Sequence, residues 1–423
     1  MLAKLKKLGS NDGTLFTISN LIFSFSTYLI ALIIPYRFDI KMMADFSATL
    51  NIVMILAFVF EFGLATSYLR FNQLYKTTQY INAYFQFLIL LLLFLFYSTF
   101  LGDYLGGFLG FENVSLNNGY LYLSIFAILS WMFFKNIYLS SKKIKFILFN
   151  AIVLLFIRVG FLIFIFMRED APTLDEIFLY LFVFPFVLIA FFNLKNNIVY
   201  LKKSFQQIGE KRNIAIFKKR FKKLIVFSGF SYIIGTLYVY TSRYVLVFLT
   251  EKDMTEVLAE LGYAFSFGGL IMVFMVSMRL YFISKFNISD VEAIKIYIKK
   301  IGHYKYHFFT ATILVSLAIS SAVWVIKPEY LSMRSIYFLF MLIFSYSCIM
   351  YFSMITLLSK TFDFSKIELV LNIIRLGLVM LSVQLLMETS PLLGFAFFSA
   401  NMVLIEFIFA RIVLNKILKK EVS

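Results

Sequence analysis

The chain has 423 residues, 61% hydrophobic and 20% aromatic, with a mean hydropathy of +0.87. No water-soluble fold hides that much apolar surface, which leaves an integral membrane protein. One cysteine, Cys348, excludes an intramolecular disulfide and a cysteine metal cluster, and only two histidines, His303 and His307, exclude most histidine chemistry.

The N-terminal MLAKLKKLGSNDG is basic and leads into an apolar run that ends at Pro35-Tyr36-Arg37. No small-residue cleavage site follows, so the run reads as a retained first span and not as a signal peptide. A helix of about 20 mainly apolar residues crosses a hydrocarbon layer of about 30 Å. About twelve such segments follow one another: 14–36, 46–69, 80–101, 118–140, 144–167, 176–199, 224–249, 257–283, 304–326, 334–358, 365–387 and 391–414. The expected fold is an all-α polytopic membrane protein.

The formal charge of +17 could point to nucleic acid, but the placement of Lys and Arg gives it another meaning. With the N-terminus in the cytoplasm, 29 of the 40 basic residues fall in inner connections and six in outer ones: Arg37, Lys41, Arg168, Lys252, Lys327 and Arg334. This is the positive-inside bias, with both termini cytoplasmic, and it removes nucleic acid as a partner. The longest connection, 200–223, contains KKSFQQIGEKRNIAIFKKRFKK and lies between spans six and seven. It reads as an orientation-setting cytoplasmic linker with an interfacial helix, or as a contact for anionic lipid. The expected organisation is an N-terminal six-helix lobe over 1–199, the basic linker 200–223 and a C-terminal six-helix lobe over 224–423.

One sentence occurs twice. Residues 132–142 read MFFKNIYLSSK and residues 350–360 read MYFSMITLLSK. Each is followed by an arginine among apolar residues, in Ile157-Arg158-Val159-Gly160 and Ile374-Arg375-Leu376-Gly377. The copies occupy spans four to five and ten to eleven, so equivalent spans run in the same direction. That is a parallel repeat with a pseudo-two-fold axis along the membrane normal.

A charged side chain at the centre of a membrane helix costs about 2.5–3.5 kcal/mol, so each one needs a reason. The candidates are Glu61, Lys135, Arg158, Arg243, Arg279, Arg375 and Glu406. Five are positive and two negative, a balance suited to an anionic ligand held by guanidinium donors. Arg158 and Arg375 lie 13 and nine residues beyond Lys145 and Lys366, near mid-depth at 1.5 Å per residue. They either line a central cavity or pair with Glu61 or Glu406 to fix helix packing. Arg243 lies in the outer part of span seven, while Arg279 and Lys135 lie nearer cytoplasmic ends where long side chains snorkel. Glu61 is either a proton- or sodium-linked acid or a salt-bridge partner. His303 and His307 have i, i+4 spacing, but no third ligand accompanies them at this membrane edge, which argues against a metal.

Certain stretches resemble a known family. Glu61-Phe62-Gly63-Leu64, leading to Arg70, resembles the acidic-Phe-Gly-Leu stretch followed by Arg in polysaccharide-export flippases. Leu261-Gly262-Tyr263-Ala264-Phe265 is similar to that family's Leu-Gly-x-Tyr-x-x-Ala start of span eight, shortened. Leu393-Gly394-Phe395-Ala396-Phe397-Phe398-Ser399 resembles its Gly-Ala-Ala-x-Ala stretch. With twelve spans in six-plus-six halves, the whole chain resembles a Wzx-type O-antigen flippase of the multidrug/oligosaccharidyl-lipid/polysaccharide exporter (MOP) superfamily. One departure is Ser242-Arg243, where the family often carries Asp-Arg; an arginine there still suits contact with a phosphate.

The resemblance implies a transporter and not an enzyme. Its substrate would be an oligosaccharide repeat unit on undecaprenyl pyrophosphate, turned from the cytoplasmic to the periplasmic leaflet of a bacterial inner membrane. Arg158, Arg375 and Arg243, supported by Arg279 and Lys135, would attract the pyrophosphate, with Glu61 and Glu406 balancing charge or coupling to an ion. No cofactor is implied, and coupling to H+ or Na+ is left open. Membrane lipids and the polysaccharide polymerase machinery are the expected partners. Two rival classes stay open. An O-antigen polymerase, ligase or membrane glycosyltransferase would ordinarily present a large periplasmic loop, whereas the longest loop here is cytoplasmic. A drug or small-solute exporter would share the fold and differ in cargo.

Overall fold

In a computed structural model of the chain, residues 12–61, 118–140, 143–193, 214–268, 301–356 and 365–419 are described, with isolated positions at 195, 198, 199, 202, 298 and 299. All regular structure among these residues is helical. The elements are α1 (Asp12–Ile33), α2 (Ile40–Glu61), α3 (Asn118–Ser140), α4 (Ile144–Met167), α5 (Leu174–Phe178), α6 (Phe184–Phe192), α7 (Ile214–Glu251), α8 (255–268), α9 (Lys305–Ile326), α10 (Met333–Thr356), α11 (Ser365–Leu386) and α12 (Pro391–Lys419). Eight helices among the described residues are long and apolar enough to cross a membrane, which makes the chain a multi-pass membrane protein. Predicted span three, 80–101, and the second half of predicted span eight lie outside the described residues.

Local chemistry explains where the helices start and stop. A 3-10 turn, Ile34–Arg37, follows α1, with Pro35 at its start, and Phe38 is extended. Asp39 then accepts the backbone N–H of Met42 at 2.7 Å and so caps α2, which begins six residues before the predicted start of span two. Between α7 and α8, the backbone N–H of Met254 reaches the Leu249 carbonyl at 3.0 Å, that of Asp253 reaches Thr250 at 3.3 Å, and Asp253 has φ 53°. This is a left-handed helix stop in which Asp takes the place usual for glycine. At the α11–α12 turn a Cβ on Gly394 would stand 2.9 Å from the Cα of Met387, so only glycine fits there. A capping box of Thr173 and Glu176 opens α5. Helix α7 starts at Ile214, so the second half of the basic linker runs straight into span seven.

By contacts the chain divides into two compact units, one of Ala48–Val239 and the other of Met1–Ser47 with Tyr240–Ser423. Both boundaries fall inside continuous helices, α2 and α7. In the Ala48–Val239 unit, α3 and α4 pack on each other and on the α5–α6 segment. In the other unit, α10 packs against α9 and α12, and α12 against α11.

The packing is that of a membrane protein turned toward lipid. On α9 the buried face is Thr312, Ser316, Ser320 and Val323, while Leu314, Leu317 and Trp324 are exposed. Small side chains let helix backbones approach, and the large apolar ones are left for hydrocarbon. Helix α4 does the same, exposing Phe149, Phe156, Ile163 and Phe164 and burying Asn150 and Arg158.

Candidate functional site

The two copies of the repeated sentence place their arginines on the same helical face. Leu154, Arg158, Leu162 and Ile165 are buried on α4, as are Leu371, Arg375, Val379 and Ser382 217 residues later on α11. Phe156, Gly160 and Phe164 are exposed, and so are Ile373, Gly377 and Leu381. The shared buried positions recur at three- and four-residue steps, the spacing of one helix face. Each arginine is thereby aimed inward and each accompanying glycine outward, with nothing within 4 Å of a Cβ at Gly160 or Gly377.

What the arginines meet differs. Arg375 Nη2 pairs with Glu406 Oε2 of α12 at 2.7 Å, and Nη1 donates to Asn372 Oδ1 at 2.9 Å. Thr356 of α10 donates to the other Glu406 oxygen at 2.8 Å. Three helices are thus joined through one carboxylate, beside an apolar cluster that includes Ile355, Leu371, Ile405 and Phe409. The structure thus pairs Arg375 with Glu406, one of the two acids weighed as its partner.

Arg158 is 1% exposed, and its Nε donates to the backbone carbonyl of Leu181 at 2.9 Å. Proline chemistry explains that acceptor. Pro185 has no N–H, so the Leu181 carbonyl lacks the donor four residues on that an α-helix would supply. The chain here winds as a π-helical turn, Leu179–Val183, with the Phe184 N–H reaching Leu179. An unsatisfied carbonyl in apolar surroundings costs free energy, and the arginine of the neighbouring helix relieves it. The guanidinium also stands 5.5 Å from the ring centres of both Phe182 and Phe186. Elsewhere in the same unit, Tyr138 of α3 donates to Asn193 at 3.3 Å and Asn193 donates to Asn150 of α4 at 2.8 Å.

Arg243 is different again. It is only partly buried on α7, and its guanidinium lies 5.5 Å from the Phe265 ring centre. It has no ion-pair partner among the described residues. Lys135 is partly buried on α3, Glu61 is buried at the last described position of α2, and Arg279 lies outside the described residues. His303 and His307 are exposed and both pack on the edge or face of Tyr304; no metal-binding group of three is found among the described residues.

Sequence reading missed two groups. Pro185, Asn150 and Asn193 carried a signal, because a proline and two amides within spans each demand a partner. Glu260, 2% exposed on α8, accepts the backbone N–H of Ser332 at 3.1 Å and is paired with Arg334. Its partners lie more than 70 residues away in sequence, and only the fold brings them in.

The fold is similar to that of solved membrane proteins. It is similar to an aspartate-to-asparagine mutant of the MATE transporter VcmN from Vibrio cholerae, with a TM-score of 0.64 at 13% identity, covering 98% of both chains. The bent form of VcmN gives a TM-score of 0.53 at 12% identity over 98% of this chain and 99% of that one. An inward-facing multidrug resistance MATE family transporter of the MOP superfamily gives 0.51 at 11% identity over 97% and 96%. The chain therefore has a MATE-like fold. No family model matches the sequence, and no curated protein matches it.

Proposed function

We propose that the protein is a flippase that carries an undecaprenyl-pyrophosphate-linked oligosaccharide repeat unit, of O-antigen or a related surface polysaccharide, from the cytoplasmic to the periplasmic leaflet of a bacterial inner membrane. The observation that carries the reading is Arg243. A partly exposed guanidinium within a spanning helix, with no acid to neutralise it among the described residues, attracts anions and repels organic cations. A pyrophosphate needs such a group, because it cannot enter hydrocarbon with its charge uncompensated.

In this reading lobes 1–199 and 224–423 rock about linker 200–223 and expose the substrate first inward and then outward. Arg243 attracts the pyrophosphate, with Arg279 and Lys135 adding positive charge nearer the cytoplasm, while Arg158 and Arg375 are held in the helix packing by the Leu181 carbonyl and Glu406. Glu406 balances charge, and Glu61 sets local charge or couples the cycle to H+ or Na+. The polyprenyl tail stays among membrane lipids, and the polymerase machinery receives the product.

Arg243→Ala is expected to stop polysaccharide export and leave lipid-linked repeat unit facing the cytoplasm, at unchanged protein level, while Arg243→Lys keeps part of the activity. Normal export by the alanine variant would overturn the reading. A second reading, a drug exporter, is favoured by the fold shared with a multidrug resistance MATE transporter. It predicts raised drug resistance on expression with no change in surface glycan.

A further inference from the structure

Helix α9 is the least buried of the eight spanning helices, and its two ends differ. Its 22 residues, Lys305–Ile326, measure about 33 Å, close to the thickness of the hydrocarbon layer, so Lys305 and Lys327 stand where headgroups begin. At the outer end, on the orientation assigned by the basic residues, the Lys327 ammonium donates to the Leu331 carbonyl and Glu329 follows two residues on. At the inner end Lys299, His303, Lys305 and His307 are exposed, and none has an ion-pair partner among the described residues. No acidic residue occurs between Glu292 and Glu329.

These groups sit on an anchored frame. Ile298 packs against the apolar cluster that Ile355 of α10, Leu371 of α11 and Phe409 of α12 share. The Tyr351 hydroxyl of α10 donates to the Ile301 carbonyl at 3.3 Å, and the rings of Phe308 and Phe309 lie 5.3 Å and 5.2 Å from that of Tyr351. Aromatic rings also steady the polar groups. Lys305 Nζ stands 4.7 Å from the Tyr306 ring centre, and Tyr304 meets both His303 and His307 edge to face. Further along the same helix Ile313, Leu314 and Leu317 are exposed, an apolar face of the kind left for hydrocarbon.

We propose that the inner end of α9 seats an anionic phospholipid of the cytoplasmic leaflet, with its phosphate among Lys299, Lys305 and the two imidazoles and its acyl chains along the exposed apolar face. The occupant follows from two features continuous on one helix. A soluble anion matches the cations and leaves the apolar face uncovered, while a zwitterionic lipid covers the face and brings no net charge to the cations. An amphiphile with a negative headgroup meets both, and basic side chains at the membrane surface attract such lipids one by one. The site requires only that the chain cross a bilayer, so it stands or falls independently of the cargo.

The test uses full-length protein carrying Cys348→Ala and a fluorophore on Leu314→Cys, reconstituted in vesicles that mix phosphatidylcholine with phosphatidylglycerol. Bromine, which quenches on contact, is carried at equal mole fraction by the phosphatidylglycerol in one set and by the phosphatidylcholine in the other. Quenching in the parent is expected to report a several-fold preference for phosphatidylglycerol beside α9. Lys299→Gln/Lys305→Gln is expected to abolish most of that preference, and adding His303→Gln/His307→Gln the remainder. Arg411→Gln/Lys416→Gln, which removes as much charge from exposed positions on α12, is expected to keep it. Quenching by brominated phosphatidylcholine is expected in every variant, which shows that α9 still faces lipid. Equal quenching of the parent by the two lipids would overturn the proposal. So would an equal loss of preference in the α12 control, which reduces the effect to overall charge. Protection from both lipids would give the face to another protein surface, such as a second copy, and relief of quenching by farnesyl diphosphate would give it to an isoprenoid; either overturns the phospholipid. Export of surface glycan does not enter the readout, so failure here leaves the flippase reading intact, and loss of that reading leaves the lipid site.

Discussion

Helices α4 and α11 carry the same short motif, the same buried face and an arginine at the same place on it, yet they satisfy that arginine by different chemistry. In α11 the partner is a carboxylate, Glu406, itself held by Thr356. In α4 the acceptor is a backbone carbonyl made available by Pro185. Between Ile177 and Asn193 the chain has no acid to offer, so a broken helix supplies the acceptor instead. What is common to both copies is a rule: a cation pointed inward from the second helix of the motif must be met by the helix that follows. The sequence of that helix decides whether a side chain or a backbone group does so.

The comparison breaks most sharply at the ion pair. Arg375→Ala leaves Glu406 buried with only Thr356, and removing one partner of a buried pair typically destabilises by about 3–5 kcal/mol. The variant is expected to unfold at a clearly lower temperature in detergent. Arg375→Met with Glu406→Met is expected to recover most of the loss, since two apolar groups leave no charge behind. An unchanged unfolding temperature in Arg375→Ala would show that the pair does not hold α11 to α12.

Arg158→Met is a milder break, about 1–3 kcal/mol for one orphaned carbonyl. Its expected suppressor is Pro185→Ala, which returns an N–H to the Leu181 carbonyl and lets the π-helical turn relax. If Pro185→Ala does not rescue stability, the arginine serves something other than that carbonyl. No such rescue is expected for Arg375→Ala, because its partner is a side chain.

The smallest effect is expected at the shared glycines. Nothing lies within 4 Å of a Cβ at Gly160 or Gly377, so Gly→Ala at either is expected to be neutral or to stabilise by up to about 1 kcal/mol. A marked loss of stability or export at both positions would mean that another surface packs against them. Gly262 and Gly394 are the contrast, since each faces atoms closer than 3 Å.

Much of the scaffold was legible early because hydrocarbon imposes length and apolarity on each span. Predicted spans 118–140 and 144–167 coincide almost residue for residue with α3 and α4, and the later spans with α9 to α12. Boundaries erred where a polar residue decided the start, as at Asp39 for α2, because hydropathy weighs Asp39 and Lys41 as loop while Asp39 caps a helix that already contains Lys41. The intramembrane charges were legible as charges, since each is expensive in lipid. Their partners were less so. Glu406 was one of two acids available to Arg375, but no property of residue 181 marks its carbonyl as an acceptor until Pro185 is seen four residues on.

The sequence by itself determined a multi-pass helical membrane protein, a duplicated motif and a set of buried cations, because apolar run length and the penalty on charge in hydrocarbon act residue by residue. The tertiary structure alone decided which cation is neutralised and which is left open. It pairs Arg375 with Glu406, sets Arg158 on a carbonyl and leaves Arg243 beside Phe265 without an acid among the described residues. It also decided that Gly262 meets Ser47, a contact between residues 215 positions apart that no local pattern encodes. Pairing depends on distances between helices, and those are set by packing.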